Sequence, residues 1–316
     1  MTNEMPNAAK PLKIGTRGSP LALAQAHETR MRLSKAFDLA EDAFDIVVIK
    51  TTGDRVLDRP LKEIGGKGLF TKEIEEAMLS GDIDIAVHSM KDMPVEQPDG
   101  LVLETYLPRE DVRDAFVSPH FAALRDLPEG TKVGTSSLRR KAQVLVRYPH
   151  LDVVEFRGNV QTRLKKLDDG VAGCTFLAMA GLNRLGQAHV AKGAIDPEDM
   201  LPAVAQGAIG IERRADDARA AEMLASIHNI ETGQRLAAER SFLATLDGSC
   251  ETPIAGLAEL DGGTLRLRGE ILRPDGSESI ADEMCGPIED GAAIGAALAK
   301  DLLSRAGEGF FDWRAA

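Results

Sequence analysis

Short apolar runs alternate along this chain with longer stretches whose apolar positions recur every three or four residues. Residues 12–16 (LKIGT), 44–51 (FDIVVIKT) and 82–90 (DIDIAVHSM) have the continuous apolar character of buried strands, with the last strand read over 83–87. Between them, 20–33 (PLALAQAHETRMRL) and 70–79 (FTKEIEEAML) carry helical spacing. This alternation predicts an α/β unit built on a largely parallel sheet. From about residue 109 a second set of the same kind begins, with TKVGT, SSLRRKAQVLV, LDVVEFRG, NVQTRLKKL and CTFLAMAGL in succession. From about residue 230 the pattern changes. A helical stretch at 233–246 precedes a hairpin-like pair, 264–272 and 277–284, around Arg273-Pro274-Asp275-Gly276, and a last helix follows at 292–307. A smaller α+β domain is expected there.

Composition narrows the class. With 316 residues the chain is long enough for two or three compact units, and 43% hydrophobic with 28% charged residues is an ordinary globular mix. Aromatic residues make up 4% and the net charge is −12, which argues against nucleic-acid binding, since that calls for a basic face or stacking rings. Residues 1–10 hold no apolar core for a secretory signal, and no later apolar run reaches membrane-spanning length, so a soluble cytoplasmic protein without a membrane partner is expected. Cys174, Cys250 and Cys285 are odd in number and far apart, which suits a reducing compartment; no CxxC or HExxH spacing appears, and no metal is expected.

The charge is unevenly placed. Residues 131–166 contain nine basic residues (Lys132, Arg139, Arg140, Lys141, Arg147, Arg157, Arg163, Lys165, Lys166) against Asp152 and Glu155. A basic stretch inside an acidic chain suggests an anion site, although Lys165 and Lys166 read more readily as a solvated helix face. Arg139 and Arg140 follow Gly134-Thr135-Ser136-Ser137, where a strand gives way to a helix, so backbone N–H groups, hydroxyls and guanidiniums can converge on one anion. Gly15-Thr16-Arg17-Gly18-Ser19-Pro20 repeats the arrangement, with Pro20 suited to the first helical turn and Ser19 to the cap; taken singly, Ser19 and Ser137 are ordinary caps. The loop Gly65-Gly66-Lys67-Gly68-Leu69-Phe70 is glycine-rich without phosphate-loop spacing. His88-Ser89-Met90-Lys91-Asp92 lies beyond the carboxyl end of a strand, where sheet ligands sit; Asp92 alone would read as a turn residue and His88 as a packed structural histidine. Cys250 lies in the turn-rich DGSCETPI segment, an available loop thiol or a casual surface cysteine, whereas Cys174 reads as a small core hydrophobe.

Taken in order, TRGSPLALAQA, GGKGLF, DIAVHSMKDMP, REDVRDAF, VGTSSLRR, RGNVQTRLKKLDDG, LAMAGLNRL, LPAVAQGAIGIE and DGSCETPI resemble the porphobilinogen deaminases across about residues 12–305. The resemblance implies two periplasmic-binding-protein-like lobes around a cleft, residues 11–107 with 208–226 and residues 108–207, plus a C-terminal α+β domain, 230–316, carrying Cys250. It also implies that the segment after Gln206 returns the chain to the first lobe. The implied activity is a transferase that joins four porphobilinogen molecules head to tail, with loss of ammonia, onto a dipyrromethane cofactor bound through a thioether to Cys250, giving hydroxymethylbilane for haem biosynthesis. Asp92 is implied as the catalytic carboxylate, stabilising the cationic azafulvene and hydrogen-bonding pyrrole N–H groups. Lys91, Arg139, Arg140, Ser89, Thr135 and Ser137 are implied in cofactor binding, and Arg17, Ser19, Gln25, Lys67, Phe70, Arg157, Arg163 and Arg184 in substrate binding. A monomer is expected. Pyrroles bearing acetate and propionate would give the arginine excess a purpose.

Some positions depart from the family pattern: Glu63 replaces a lysine, Ala205 a glycine, and Ala172-Gly173 a Tyr-Asp pair. The alternative reading is a non-catalytic two-lobed protein that binds a polycarboxylate in the same kind of cleft, a reading that leaves Cys250 without a role.

Overall fold

β1 (Leu12–Arg17) is buried along most of its length, as a strand covered on both faces must be, and the computed structural model pairs it in parallel with β2 (Phe44–Ile49) and β3 (Ile85–Ser89). The structure describes residues 5–55, 71–249 and 252–314. Between β1 and β2 runs the helix Pro20–Phe37. Ser19 caps it, its Oγ accepting from the Ala22 N–H at 3.2 Å, with Pro20 in the first turn; Asp38, at φ 51°, ends it in the left-handed conformation. Gln25, Ala26, Thr29 and Leu33 face the sheet.

Residues 1–110 and 207–233 make one compact unit, and 111–206 with 234–316 a second. After Gln206, β10 (Ile209–Arg214) enters the first sheet between β3 and β4 (Leu101–Tyr106), in the order β2-β1-β3-β10-β4. It runs antiparallel to both neighbours. Four of the five strands run in one direction, the largely parallel arrangement expected, and β10 opposes them. β10 arrives after an excursion through residues 111–206 rather than by a local crossover helix, so nothing in its connection imposes the parallel direction. β3 also extends past Val87 to Ser89, two residues beyond its expected end.

The second unit repeats the scheme. β6 (Lys132–Gly134) lies parallel to β7 (Asp152–Val154) and β8 (Cys174–Ala178), while β5 (Asp114–Val117) is antiparallel to β8 and to the two-residue β9 (Gly193–Ala194), in the order β7-β6-β8-β5-β9. The same unit holds a three-stranded antiparallel meander, β11 (Ile254–Asp261), β12 (Thr264–Leu272) and β13 (Ser279–Pro287), with the helices Ile230–Thr245 and Gly291–Arg305. Gly295 lets these helices meet: a Cβ there would lie 2.2 Å from the Ala238 carbonyl oxygen. β12 and β13 form the expected hairpin, with Gly276 at φ 73° in its turn. The meander joins the rest of this unit through Gly256 N–H, which donates to the Pro202 carbonyl at 3.0 Å, and through Glu270, which accepts from Gln143 Nε2 on the helix Leu138–Arg147 at 2.7 Å.

Cys174 is fully buried in β8, and burial pushes its thiol up to about 12, as suits a core residue; Cys285 is exposed on β13. Ala172 is buried in a second core cluster with Phe156 and Leu182, and a Cβ at Gly173 would come within 2.8 Å of Thr131 Cγ2, so this chain packs that turn around small residues. Ala205, where the family pattern has glycine, adopts φ 60° while buried, its N–H donating to Glu239 Oε2 at 2.6 Å. A methyl-bearing residue in the left-handed region costs about 1–2 kcal/mol. Ala205→Gly is therefore expected to raise the unfolding free energy by roughly 0.5–1 kcal/mol, relief of strain exceeding the added freedom of the unfolded chain. Denaturant unfolding measures this, and a loss of stability would mean that the buried methyl contributes more than its conformation costs.

Candidate functional site

In the first unit the parallel pairing of β1 with β3 brings the carboxyl ends of both strands to one edge of the sheet, where Arg17, Ser19, Gln25, Thr71, His88, Ser89, Asp92 and Met93 line a single pocket. A 3-10 turn, Met90–Asp92, carries the chain off the strand and sets Asp92 against the pocket, with Lys91 and Asp92 both half-buried. The turn is anchored by Met90. Its side chain is buried, its N–H donates to the Ala208 carbonyl at 3.0 Å, and its sulfur occupies the space that a Cβ on Gly210 would need, 2.1 Å away. Gln25 Nε2 donates to Ser89 Oγ at 2.8 Å, which fixes the hydroxyl from the capped helix. His88 is 6% exposed, its Nε2 lying 3.0 Å from Oε2 of the fully buried Glu212 on β10, as expected of a packed structural histidine. Burial pushes the nearby Glu75 carboxyl up.

In the second unit Thr135, Ser137, Arg139 and Arg140 sit at the junction of β6 with the helix Leu138–Arg147. Thr135 Oγ1 accepts from the Ser137 N–H at 3.1 Å and Ser137 Oγ from the Arg140 N–H at 3.4 Å, so these hydroxyls shape the turn and cap the helix. Arg139 and Arg140 are buried, and the carboxylate they share is the chain's own Asp114. Arg139 Nη2 donates to Asp114 Oδ2 at 2.8 Å, and Arg140 Nη2 to Asp114 Oδ1 at 2.7 Å. Arg139 Nη1 also donates to Gln143 Oε1 and the Leu201 carbonyl, and Arg140 Nη1 to the Phe176 carbonyl. Asp114 escaped the sequence reading. Its signal was there, since two adjacent arginines in a core require a carboxylate and Asp114 heads the apolar run Ala115-Phe116-Val117.

Arg163 stands close enough to feel this group: burial, together with the charge of Arg140, brings its guanidinium down to about 10. Its Nε donates to the Gly158 carbonyl at 2.9 Å. Arg157 is half-buried after β7, and Arg184 half-buried at the end of the helix Met179–Arg184. Lys165 faces water and pairs with Asp169 at 2.8 Å, whereas Lys166 lies over the Phe156 ring and donates to the Arg157 carbonyl. Lys67, Phe70, Glu63 and Cys250 lie outside the described residues. Among the described residues no cluster of His, Cys, Asp or Glu could hold a metal.

This arrangement suits an organic polyanion. Arg139 and Arg140 meet on one buried carboxylate, Arg163 lies within electrostatic reach of Arg140, and Nε of Arg139, Nε of Arg140 and Oγ of Ser136 are buried without a hydrogen-bond partner among the described residues. Such donors fit the carboxylates of a dipyrromethane.

Burial alone would push the Asp114 carboxyl up, but Arg139 and Arg140 outweigh it and hold the group well below the usual carboxylate range. With the folded-state value depressed, its share of stability is complete above about pH 4 and is lost as the pH falls below that. Asp114→Asn is expected to cost about 3–5 kcal/mol at neutral pH, because it strands two buried cations. The gap to the parent should narrow in acid. Denaturant unfolding at several pH values measures it, and a gap that stays constant down to strong acid would contradict the ion pairing.

Comparison with known proteins follows the same lines. A family model described as the porphobilinogen deaminase, dipyromethane cofactor binding domain matches residues 12–222, and one for the porphobilinogen deaminase C-terminal domain matches residues 234–304. A porphobilinogen deaminase of Paracoccus denitrificans is 70% identical over 310 residues, covering 98% of this chain and 99% of that protein. A chloroplastic porphobilinogen deaminase of Pisum sativum is 56% identical, covering 95% of this chain and 83% of that protein. Among solved structures, the methionine binding protein MetQ has a TM-score of 0.42 at 15% identity, over 74% of this chain and 93% of that one. With both halves of the family matched in order along nearly the whole sequence, the chain belongs to the porphobilinogen deaminase family.

Proposed function

We propose that this protein is a transferase of tetrapyrrole biosynthesis that joins four porphobilinogen molecules head to tail, releasing one ammonia for each, and yields hydroxymethylbilane. The observation that carries the reading is Asp92, set in one pocket with Arg17, Ser19, Gln25 and Ser89 in a chain of this family. A dipyrromethane joined by a thioether to Cys250 supplies the pyrrole end on which the product grows. Arg139 and Arg140 hold its carboxylates, with Thr135 and Ser137 shaping the turn beneath them and Ser89 and Lys91 adding contacts. Arg17 and Ser19 take substrate carboxylates at the start of the helix Pro20–Phe37, while Gln25 fixes Ser89. Lys67, Phe70, Arg157, Arg163 and Arg184 are assigned to the substrate by their motif positions.

Asp92 does the electrostatic work. Its carboxylate accepts from pyrrole N–H groups and stabilises the positive charge that develops as the amine departs, and it stands on a turn whose Met90 is packed against Gly210. The lobes are residues 11–107 with 208–226 and residues 108–207, and residues 230–316 form a third domain. The protein acts as a cytoplasmic monomer; no helix among the described residues is long and apolar enough to cross a membrane. The non-catalytic reading leaves Asp92 and Cys250 without a task.

Asp92→Asn keeps the shape and removes the charge, so turnover of porphobilinogen, followed as ammonia release, is expected to fall by about 100-fold or more while the primer stays attached; near-parental turnover would reject the role. The intact mass of the purified protein should exceed the sequence mass by one dipyrromethane, and Cys250→Ser should lose that increment. An active protein of unmodified mass would rule out the thioether.

A further inference from the structure

Arg139 and Arg140 are consecutive on a helix, so their side chains leave it about 100° apart and do not face one another. Both nevertheless end on one carboxylate. Asp114, fully buried at the start of β5, takes Arg139 Nη2 on Oδ2 at 2.8 Å and Arg140 Nη2 on Oδ1 at 2.7 Å, and Gln206 Nε2 donates to Oδ1 at 3.0 Å. Gln206 also donates to the Val112 carbonyl at 2.8 Å, which ties it to the residues just before β5. Each guanidinium is gripped again from its other end nitrogen, Arg139 by Gln143 and Leu201, Arg140 by Phe176. A planar fork held at both end nitrogens cannot turn about its long axis, so its remaining N–H groups have fixed directions. Both Nε atoms are buried without a partner among the described residues.

We infer that Asp114 is a positioning residue: it draws two divergent arginines onto one carboxylate and so presets the direction of the donors they offer to an anionic ligand. The inference rests on the reading that Arg139 and Arg140 bind the acidic side chains of the pyrroles. Asp114 touches no ligand; its effect passes through the two guanidiniums. Preset donors spare the ordering cost of binding, so loss of Asp114 weakens binding of the anionic groups before it slows chemistry.

The test uses the full chain carrying Asp114→Asn, with three readouts: KM and kcat for porphobilinogen, the rate at which unprimed protein acquires its covalent dipyrromethane by intact mass, and the melting temperature. The expected result is a KM raised about 10-fold, priming slowed by a similar factor, and kcat of the primed fraction within about 3-fold of the parent. Ser118→Ala, which removes a buried hydrogen bond to the Gly173 carbonyl in the same unit, serves as the stability control and should leave KM and priming unchanged. A fall in melting temperature with parental KM and priming in Asp114→Asn overturns the inference, as does an equal rise of KM in Ser118→Ala. Should Asp114→Asn fail to fold, Gln206→Met, which removes one of the three donors to Asp114, decides: a KM raised about 2- to 5-fold supports the inference and a parental KM overturns it. Arg139→Gln and Arg140→Gln separate the two levels. If they raise KM while Asp114→Asn does not, only the positioning role fails; if they too leave KM and priming at parental values, the arginines do not bind the pyrroles and the underlying reading fails with it.

Discussion

A buried carboxylate between two buried guanidiniums is the contact on which the second unit turns. Asp114 fixes Arg139 and Arg140, Arg139 holds Gln143, and Gln143 reaches Glu270 on β12, which also accepts from Arg147 and Ser279. A single polar chain thereby joins β5, the helix after β6 and the C-terminal meander. Charges this deep are costly unless every one is partnered, so the network specifies the packing of three segments far apart in sequence. Its surplus positive charge, with Arg163 close by, is what an anionic pyrrole chain would neutralise.

The first unit solves a different problem with less charge. Asp92 must stand at a sheet edge on a short turn without drifting. Packing does this: Met90 fills the space left by Gly210, and the Ala208 carbonyl holds the Met90 N–H. His88 Nε2 meets Oε2 of Glu212 behind the pocket, and Gln25 steadies Ser89 from the neighbouring helix. Among the described residues lining the pocket, the carboxylate is that of Asp92.

Much of this was legible in the sequence because it is local. The Ser19 and Ser137 caps, Pro20 in its first turn, the β12–β13 hairpin and the core character of Cys174 all follow from rules that act within a few residues. β5, β10 and β11 were not read as strands. β5 has four residues, and the burial of β10 is decided by the two strands it pairs with rather than by its own pattern. The direction of β10 was hidden for the same reason, because connection and not composition sets strand direction.

Order and type of the main elements, the basic character of residues 131–166, and the family with its Asp92 and Cys250 motifs were determined by the sequence itself, since each rests on residue identity and short spacing. Tertiary structure alone decided that Asp114 lies between Arg139 and Arg140, that Glu212 faces His88, and that Ala205 occupies a glycine-like conformation. Those are pairings between residues many positions apart, or a backbone angle imposed by its surroundings. Which buried charge meets which is a property of packing, and packing is settled only when the whole chain has closed on itself.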